Sequence, residues 1–185
     1  MWTLSKPIGT ILVLLSIFLL SRPAQAKYSG GSGTAEDPYQ IATATDLIAL
    51  GETPGDYDKH FILTDDIDLD PNLPGCKVFD KAIIAPDTND STGWFEGTSF
   101  TGVFDGNGHM VSRLTIKGAG YLGLFGSLES AAEVRNLGIV DVNISGSGDD
   151  IGGLVPKQAS FFSLQSYGLN NFVWTQLPRS RQFAG

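Results

Sequence analysis

The sequence predicts an all-β solenoid with a short N-terminal capping helix and an atypical C-terminal tail. Three observations lead there. One pattern is written about twice, as Val111-x-x-Leu114-x-Ile116 and Gly123-Leu-Phe-Gly126, then as Val134-x-x-Leu137-x-Ile139 and Gly152-Gly-Leu-Val155. The first pair of segments lies 23 residues apart and the Gly-Leu pair 30 apart, spacing that marks stacked repeats rather than a closed globular core. Of 23 glycines, 21 precede residue 156 and punctuate short aliphatic stretches at turn-like intervals. The single cysteine, Cys76, cannot close an internal disulfide, so packing must supply the stability.

Residues 1–26 read as a signal peptide. Lys6 precedes an apolar run from Ile8 to Leu20, too short to span a bilayer comfortably, and Ala24-Gln-Ala26 supplies a small-x-small cleavage pattern. The mature chain then starts at Lys27, is exported, and has no membrane span after cleavage. Its localisation is secreted or cell surface. From Lys27 onward 20 acids face 10 Lys and Arg, so a nucleic-acid partner is excluded on charge.

Residues 27–98 read as an N-terminal cap and first coils. Gly30–Thr34 is a flexible entry, and Asp37 before Pro38 is pushed toward extended backbone. Thr43 stands in N-cap position with Asp46 three residues on, followed by Leu47, Ile48 and Leu50 and an exit at Gly51: a short amphipathic helix that must lay its apolar face on the first coil. Phe61, Leu63, Ile67 and Leu69 alternate with polar residues as a strand pair, which Pro71–Gly75 stops. Periodicity is poor from Cys76 to Thr98, and Pro86–Gly93 reads as a long surface loop.

Residues 99–155 carry the repeats. The expected inward ladder is Phe104, Val111, Leu114, Ile116, Leu122, Leu124, Phe125, Val134, Leu137, Ile139, Val142, Ile144, Ile151, Leu154 and Val155. A parity shift after Ile139 demands a corner near Val140-Asp141. Residues 156–185 hold no acid and only two glycines, and the repeat stops there: the tail is either a cap over the last open coil or a frame-shifted segment.

Phe100-x-Gly-x-Phe-Asp-Gly-Asn-Gly-His109, Gly123-Leu-Phe-Gly126, Asn136-Leu-Gly138 and Gly152-Gly-Leu-Val155 together resemble the GLUG-motif repeat proteins, exported bacterial proteins of the surface and adhesin type. The resemblance covers about 30–155. It implies a right-handed parallel β-helix-like solenoid and carries no catalytic residues to transfer. The family pattern would continue after Val155 with further repeats, whereas Pro156-Lys157 follows, so the chain is expected to be a truncated N-terminal fragment.

Chemistry is sparse. Asp66, Asp68 and Asp70 imitate the opening of a calcium loop and are the candidate metal ligands, but the sixth-position glycine and distant Glu are missing. Strand alternation explains them better, as an outward row of like charges that repel unless screened or bridged by a cation. Asp105-Gly-Asn-Gly108 reads as a turn. His60 and His109, the only histidines, have no Cys or His at ligand spacing. A polysaccharide hydrolase or lyase would need converging carboxylates, and none is evident in the spacing. Asn89-Asp-Ser91 and Asn143-Ile-Ser145 fit the glycosylation triplet. The expected function is therefore a non-enzymatic stalk or adhesive surface at the cell envelope, with no catalytic residues and no cofactor beyond that calcium option. Its expected partner is an extracellular glycan or surface protein. The alternative is a carbohydrate-binding or polysaccharide-processing protein.

Overall fold

The computed structural model describes residues 27–148, 150–155, 162–166 and 171–176. The expected signal peptide and much of the tail lie outside the described residues. The described part is mostly strand, arranged in parallel sheets with one short helix. Strand β1 (Tyr39–Ile41) leads into helix α1 (Ala44–Gly51), a 3-10 turn at Pro54–Asp56, then β2 (His60–Leu63) and β3 (Ile67–Asp68). After the excursion 69–102 come β4 (Val103–Asp105), β5 (Met110–Ser112), β6 (Thr115–Gly118), β7 (Glu133–Arg135), β8 (Leu137–Val140) and β9 (Asn143–Gly146). The tail adds β10 (Phe162–Ser166) and β11 (Asn171–Gln176).

Pairing joins successive passes of the chain rather than hairpins. One sheet has the order β1-β2-β4-β7, all parallel, with Phe61 beside Phe104 and Phe104 beside Val134. In a second sheet Ile67 pairs with Val111 and Val111 with Ile139, again parallel. The third joins β6 to β9, placing Ile116 beside Ile144, and a bridge adds Phe79 to the same row. Further parallel bridges join Ile84 to Phe125 and Leu122 to Ile151. Two places among the described residues depart from this: Gly30 bridges Gln40 antiparallel, and in the tail β10 and β11 are antiparallel, with β11 antiparallel along β8.

This register corrects the expected one. The two Val-x-x-Leu-x-Ile segments, starting at Val111 and Val134, are not stacked on each other; Val111 lies over Ile139 and Phe104 over Val134. The cause is a turn present in only one of the passes. Asp105–His109 spans the corner between β4 and β5, while Asn136 alone joins β7 to β8. The Gly-Leu segments do stack, through the Phe125 N–H to the Leu154 carbonyl at 2.9 Å.

The inward positions fill a continuous core. Phe61, Leu63, Ile67, Leu69, Phe104, Val111, Leu114, Ile116, Leu124, Phe125, Val134 and Leu137 are all essentially inaccessible to water. Phe61 and Phe104 stack with centroids 6.4 Å apart, and Phe125 meets Phe104 edge-on at 5.5 Å, geometry that aromatic quadrupoles favour. Phe61–Leu63 and Ile67–Leu69 belong to different sheets, so the expected strand pair is two consecutive sides of one pass, bent at Thr64–Asp66. Four residues of the expected ladder are not fully buried: Val142 and Ile151 are exposed, and Ile144 and Val155 are only partly buried. The reason is position, because β9 is the edge strand of its sheet and Asp141 turns the chain at φ 53° just before Val142. Arg113 makes the equivalent turn one pass earlier at φ 57°, and its N–H reaches the Val140 carbonyl at 3.2 Å.

Helix α1 forms as its caps dictate. The Thr43 hydroxyl accepts from the Asp46 N–H and the Asp46 carboxylate accepts from the Thr43 N–H, a complete capping box. Leu47 and Leu50 are fully buried on its inner face. Its C-terminal end is tied down by Tyr57, whose hydroxyl donates to the Gly51 carbonyl at 2.7 Å and accepts from the Ala85 N–H at 3.0 Å. Burial pushes the Tyr57 phenol up, against the opposing pull of that Ala85 N–H. The stretch read as irregular contributes more core than its periodicity indicates, since Phe79, Ala82, Ile83, Ile84 and Ala85 are buried.

Gly51 tests the packing of α1. Alanine is the better helix former by about 1 kcal/mol. A Cβ at position 51, however, would sit 1.9 Å from the Ile83 carbonyl oxygen. Gly51→Ala is therefore expected to lower stability by more than ~1 kcal/mol, whereas Gly120→Ala, with open space around it, should change it by less than ~0.5 kcal/mol. Urea unfolding of both variants checks this, and a stabilised Gly51→Ala would refute the close contact. In the core, Phe104→Ala is expected to cost ~3–5 kcal/mol by the same measurement.

Candidate functional site

Asp66, Asp68 and Asp70 follow one another at and beside β3, and successive acids on one face repel unless a cation intervenes. Arg113 supplies that cation from the next pass. Pairing of β3 with β5 sets Asp68 beside Ser112, and the turn at Arg113 swings its guanidinium back over β3. Arg113 Nε donates to Asp68 Oδ1 at 2.8 Å, the guanidinium also contacts Asp68 Oδ2, and Asp70 Oδ2 lies 3.7 Å away. Asp66 Oδ1 accepts from the Met110 N–H at 3.0 Å and lies 3.2 Å from His109 Nδ1. Asp70 accepts from both nitrogens of Asn72.

A second cluster repeats the arrangement at the β4–β7 boundary. Arg135 Nε donates to Asp105 Oδ2 at 2.8 Å and its Nη1 to Glu133 Oε1 at 2.5 Å. Asp105 Oδ1 also accepts from the Asn107 N–H at 2.8 Å and the Asn136 amide at 3.1 Å. Partial burial acts to raise the Asp105 pKa, but the Arg135, Asn107 and Asn136 donors together outweigh it and hold the carboxyl below its ordinary range. Near the chain entry, Asp56 is buried and takes the Tyr28 hydroxyl at 2.7 Å and the Lys27 ammonium at 2.5 Å. Burial first, and then Asp56, raise the Tyr28 phenol well above its usual value.

The three carboxylates proposed as calcium ligands thus do share an outer face. Their oxygens are engaged by Arg113, His109, Asn72 and backbone N–H groups. No group of three or more His, Cys, Asp or Glu placed to share a metal occurs among the described residues. His60 and His109 sit on different strands and corners, with His60 paired in register with Val103. Cys76 Sγ lies 3.7 Å from the Asp68 carbonyl, and burial, helped by Asp70, raises its thiol pKa. A shallow depression beside α1 is lined by Ile48, Glu52, Lys77, Phe79, Asp80 and Lys81. Arg113 and Arg135 are the residues that sequence reasoning missed, because their partners Asp68 and Asp105 belong to the preceding pass and are remote along the chain.

The loop read as Pro86–Gly93 extends to Thr98 and is ordered by its own polar groups. Asp87, though acidic, is buried; its Oδ1 accepts from the Glu96 N–H at 2.9 Å and the Asn89 N–H at 3.3 Å. The Thr88 N–H meets the Glu96 carbonyl at 2.7 Å, and Asn89 Nδ2 donates to Glu96 Oε2 at 3.0 Å. Phe95 packs edge-on against Tyr121 at 5.5 Å, while the neighbouring Trp94 is 65% exposed.

Compared with known proteins, the chain is similar to halomucin of Haloquadratum walsbyi, 34% identical over 131 residues, covering 66% of this chain and 1% of halomucin. It is similar also to a Gly-rich membrane protein of Evansella cellulosilytica, 34% identical over 118 residues, covering 60% of this chain and 12% of that protein. The chain thus spans a small part of each relative's length. No protein-family model matches, and no solved structure does. Among the described residues no helix is long and apolar enough to cross a membrane.

Exposed ion pairs contribute only about 0–1 kcal/mol each, so Arg113→Ala is expected to cost less than ~1 kcal/mol at neutral pH. Asp105 should show in the pH dependence. Its folded-state pKa lies below the unfolded value near 3.9, so its stabilising contribution is complete above about pH 4 and is lost as pH falls through the folded pKa. Denaturation of the wild type and Asp105→Asn from pH 7 to 2 should give a stability gap that narrows below about pH 4; a constant gap would contradict the assigned shift.

Proposed function

We propose that the protein is an exported, non-enzymatic module built as a right-handed parallel β-helix-like solenoid, acting as a stalk or adhesive surface at the cell envelope. The observation that carries this reading is the parallel register, in which Phe104 pairs with Val134, Val111 with Ile139, Ile116 with Ile144 and Leu122 with Ile151, each one pass further along the chain. Strands that return at a near-constant interval to lie parallel on their predecessors make a core that lengthens with each added pass and leaves the outer faces free to vary. Kinship with the GLUG-motif repeats belongs to the same proposal, supported by the stacked Gly-Leu segments. The similarity to a short part of halomucin and of a Gly-rich membrane protein supports a role within a larger surface assembly. The sparse chemistry of the outer face, where carboxylates are matched by arginines and backbone donors, supports a structural role.

Two measurements test this. Purified 27–185 is expected to give a β-type circular dichroism spectrum and one cooperative melt, with the slowest amide exchange at Phe104, Val111 and Val134; uniform fast exchange there would defeat the stacked-coil reading. Incubation with a panel of polysaccharides should release no new reducing ends and no unsaturated products. Either product would overturn the non-enzymatic reading.

A further inference from the structure

We propose that the loop 86–98 is a binding site for neutral, hydroxyl-rich glycans, with the Trp94 indole as the platform on which a pyranose ring stacks. The inference rests on the reading of the protein as an adhesive surface and names the contact that surface makes. Among the described residues Trp94 is the most exposed of the large hydrophobic side chains, at 65%, yet the loop carrying it is not loose. Asp87 grips the two sides of the loop through the Asn89 and Glu96 N–H groups, and the Thr92 hydroxyl bridges the Asn89 and Trp94 carbonyls at 3.2 and 3.0 Å. Phe95, partly buried, packs edge-on against Tyr121 and so anchors the segment, while the adjacent indole is exposed to water. An exposed aromatic carried on a backbone that is already ordered binds with a smaller ordering cost than one on a loose loop.

The chemistry around the indole selects the ligand class. The C–H face of a sugar ring is the complement of the electron-rich face of an indole. Asp90 and Ser91 are exposed in the same loop and offer acceptors and a hydroxyl to sugar O–H groups. Residues 86–98 include three acids, Asp87, Asp90 and Glu96, and no Lys or Arg. The nearby Lys81 ammonium is turned to the Asp87 carbonyl at 3.2 Å. Such a loop repels uronates and sulfated sugars, so the ligand is uncharged.

The test is affinity electrophoresis of the chain from Lys27 onward in gels containing hydroxyethyl cellulose, soluble mannan or polygalacturonate. At least one neutral polymer should retard the wild type. Retardation should be at least about tenfold weaker in Trp94→Ala and unchanged in Leu73→Ala, an exposed apolar residue on another turn, with equal melting midpoints for all three. Equal retardation of Trp94→Ala, or retardation by polygalacturonate alone, overturns the proposal. A wild type that melts cooperatively but meets no retardation sinks the glycan site alone; one with no cooperative melt sinks it together with the coil reading.

Discussion

The constraint on which the rest of the structure depends is in-register parallel pairing. A strand that lies parallel on its predecessor must return to the same place at the same height, and period-2 alternation then forces every inward residue onto another inward residue. Phe61, Phe104 and Val134 form one such row, and Ile67, Val111 and Ile139 another. A slip of one residue would bury Asp68 and Asp105 and expose their apolar neighbours Ile67 and Phe104. That penalty is far larger than any single surface contact, so the core sets the register and the surface adapts to it.

The charged outer face shows this adaptation. Acids take outward positions on β3, β4 and β7 because the outward positions of a strand are polar, and the register sets Asp68 beside Ser112 and Asp105 beside Arg135. Arg113 and Arg135 answer the repulsion from positions one pass later, and each pairs with two carboxylates. Pairs so exposed add little stability in water. Their value lies in making the correct register the least repulsive one.

Excursions from the parallel strands are tolerated where corners face solvent. The chain leaves after Leu69 and regains regular strand only at Val103, yet Phe79 and Ile84 touch down in register with Ile116 and Phe125 on the way. Between these contacts the backbone needs its own partners. Asp87 and Glu96 provide them in the loop 86–98, and Tyr57 provides them where α1 meets Ala85. Length added at a corner thus leaves the stack intact and alters only what the surface displays.

Much of this was legible in the sequence. The capping box at Thr43 and Asp46, the burial of Phe61, Leu63, Ile67 and Leu69, and the corner at Asp141 follow from local rules, since caps, alternation and turns are settled within a few residues. The outward row Asp66, Asp68, Asp70 was equally visible, but its partner was not. Which passes stack, and hence that Val111 meets Ile139 and Arg113 meets Asp68, was decided only in three dimensions. The similar motifs that begin at Val111 and Val134 suggested another register, and the turn Asp105–His109 changed the count between them. The sequence by itself determined what faces inward within its regularly alternating strands, because that depends on neighbours along the chain, but not at Val142 and Ile151 or in the aperiodic stretch that buries Phe79 and Ile84. Tertiary structure decided what lies above and below, because that depends on how much chain each corner consumes before the next strand returns.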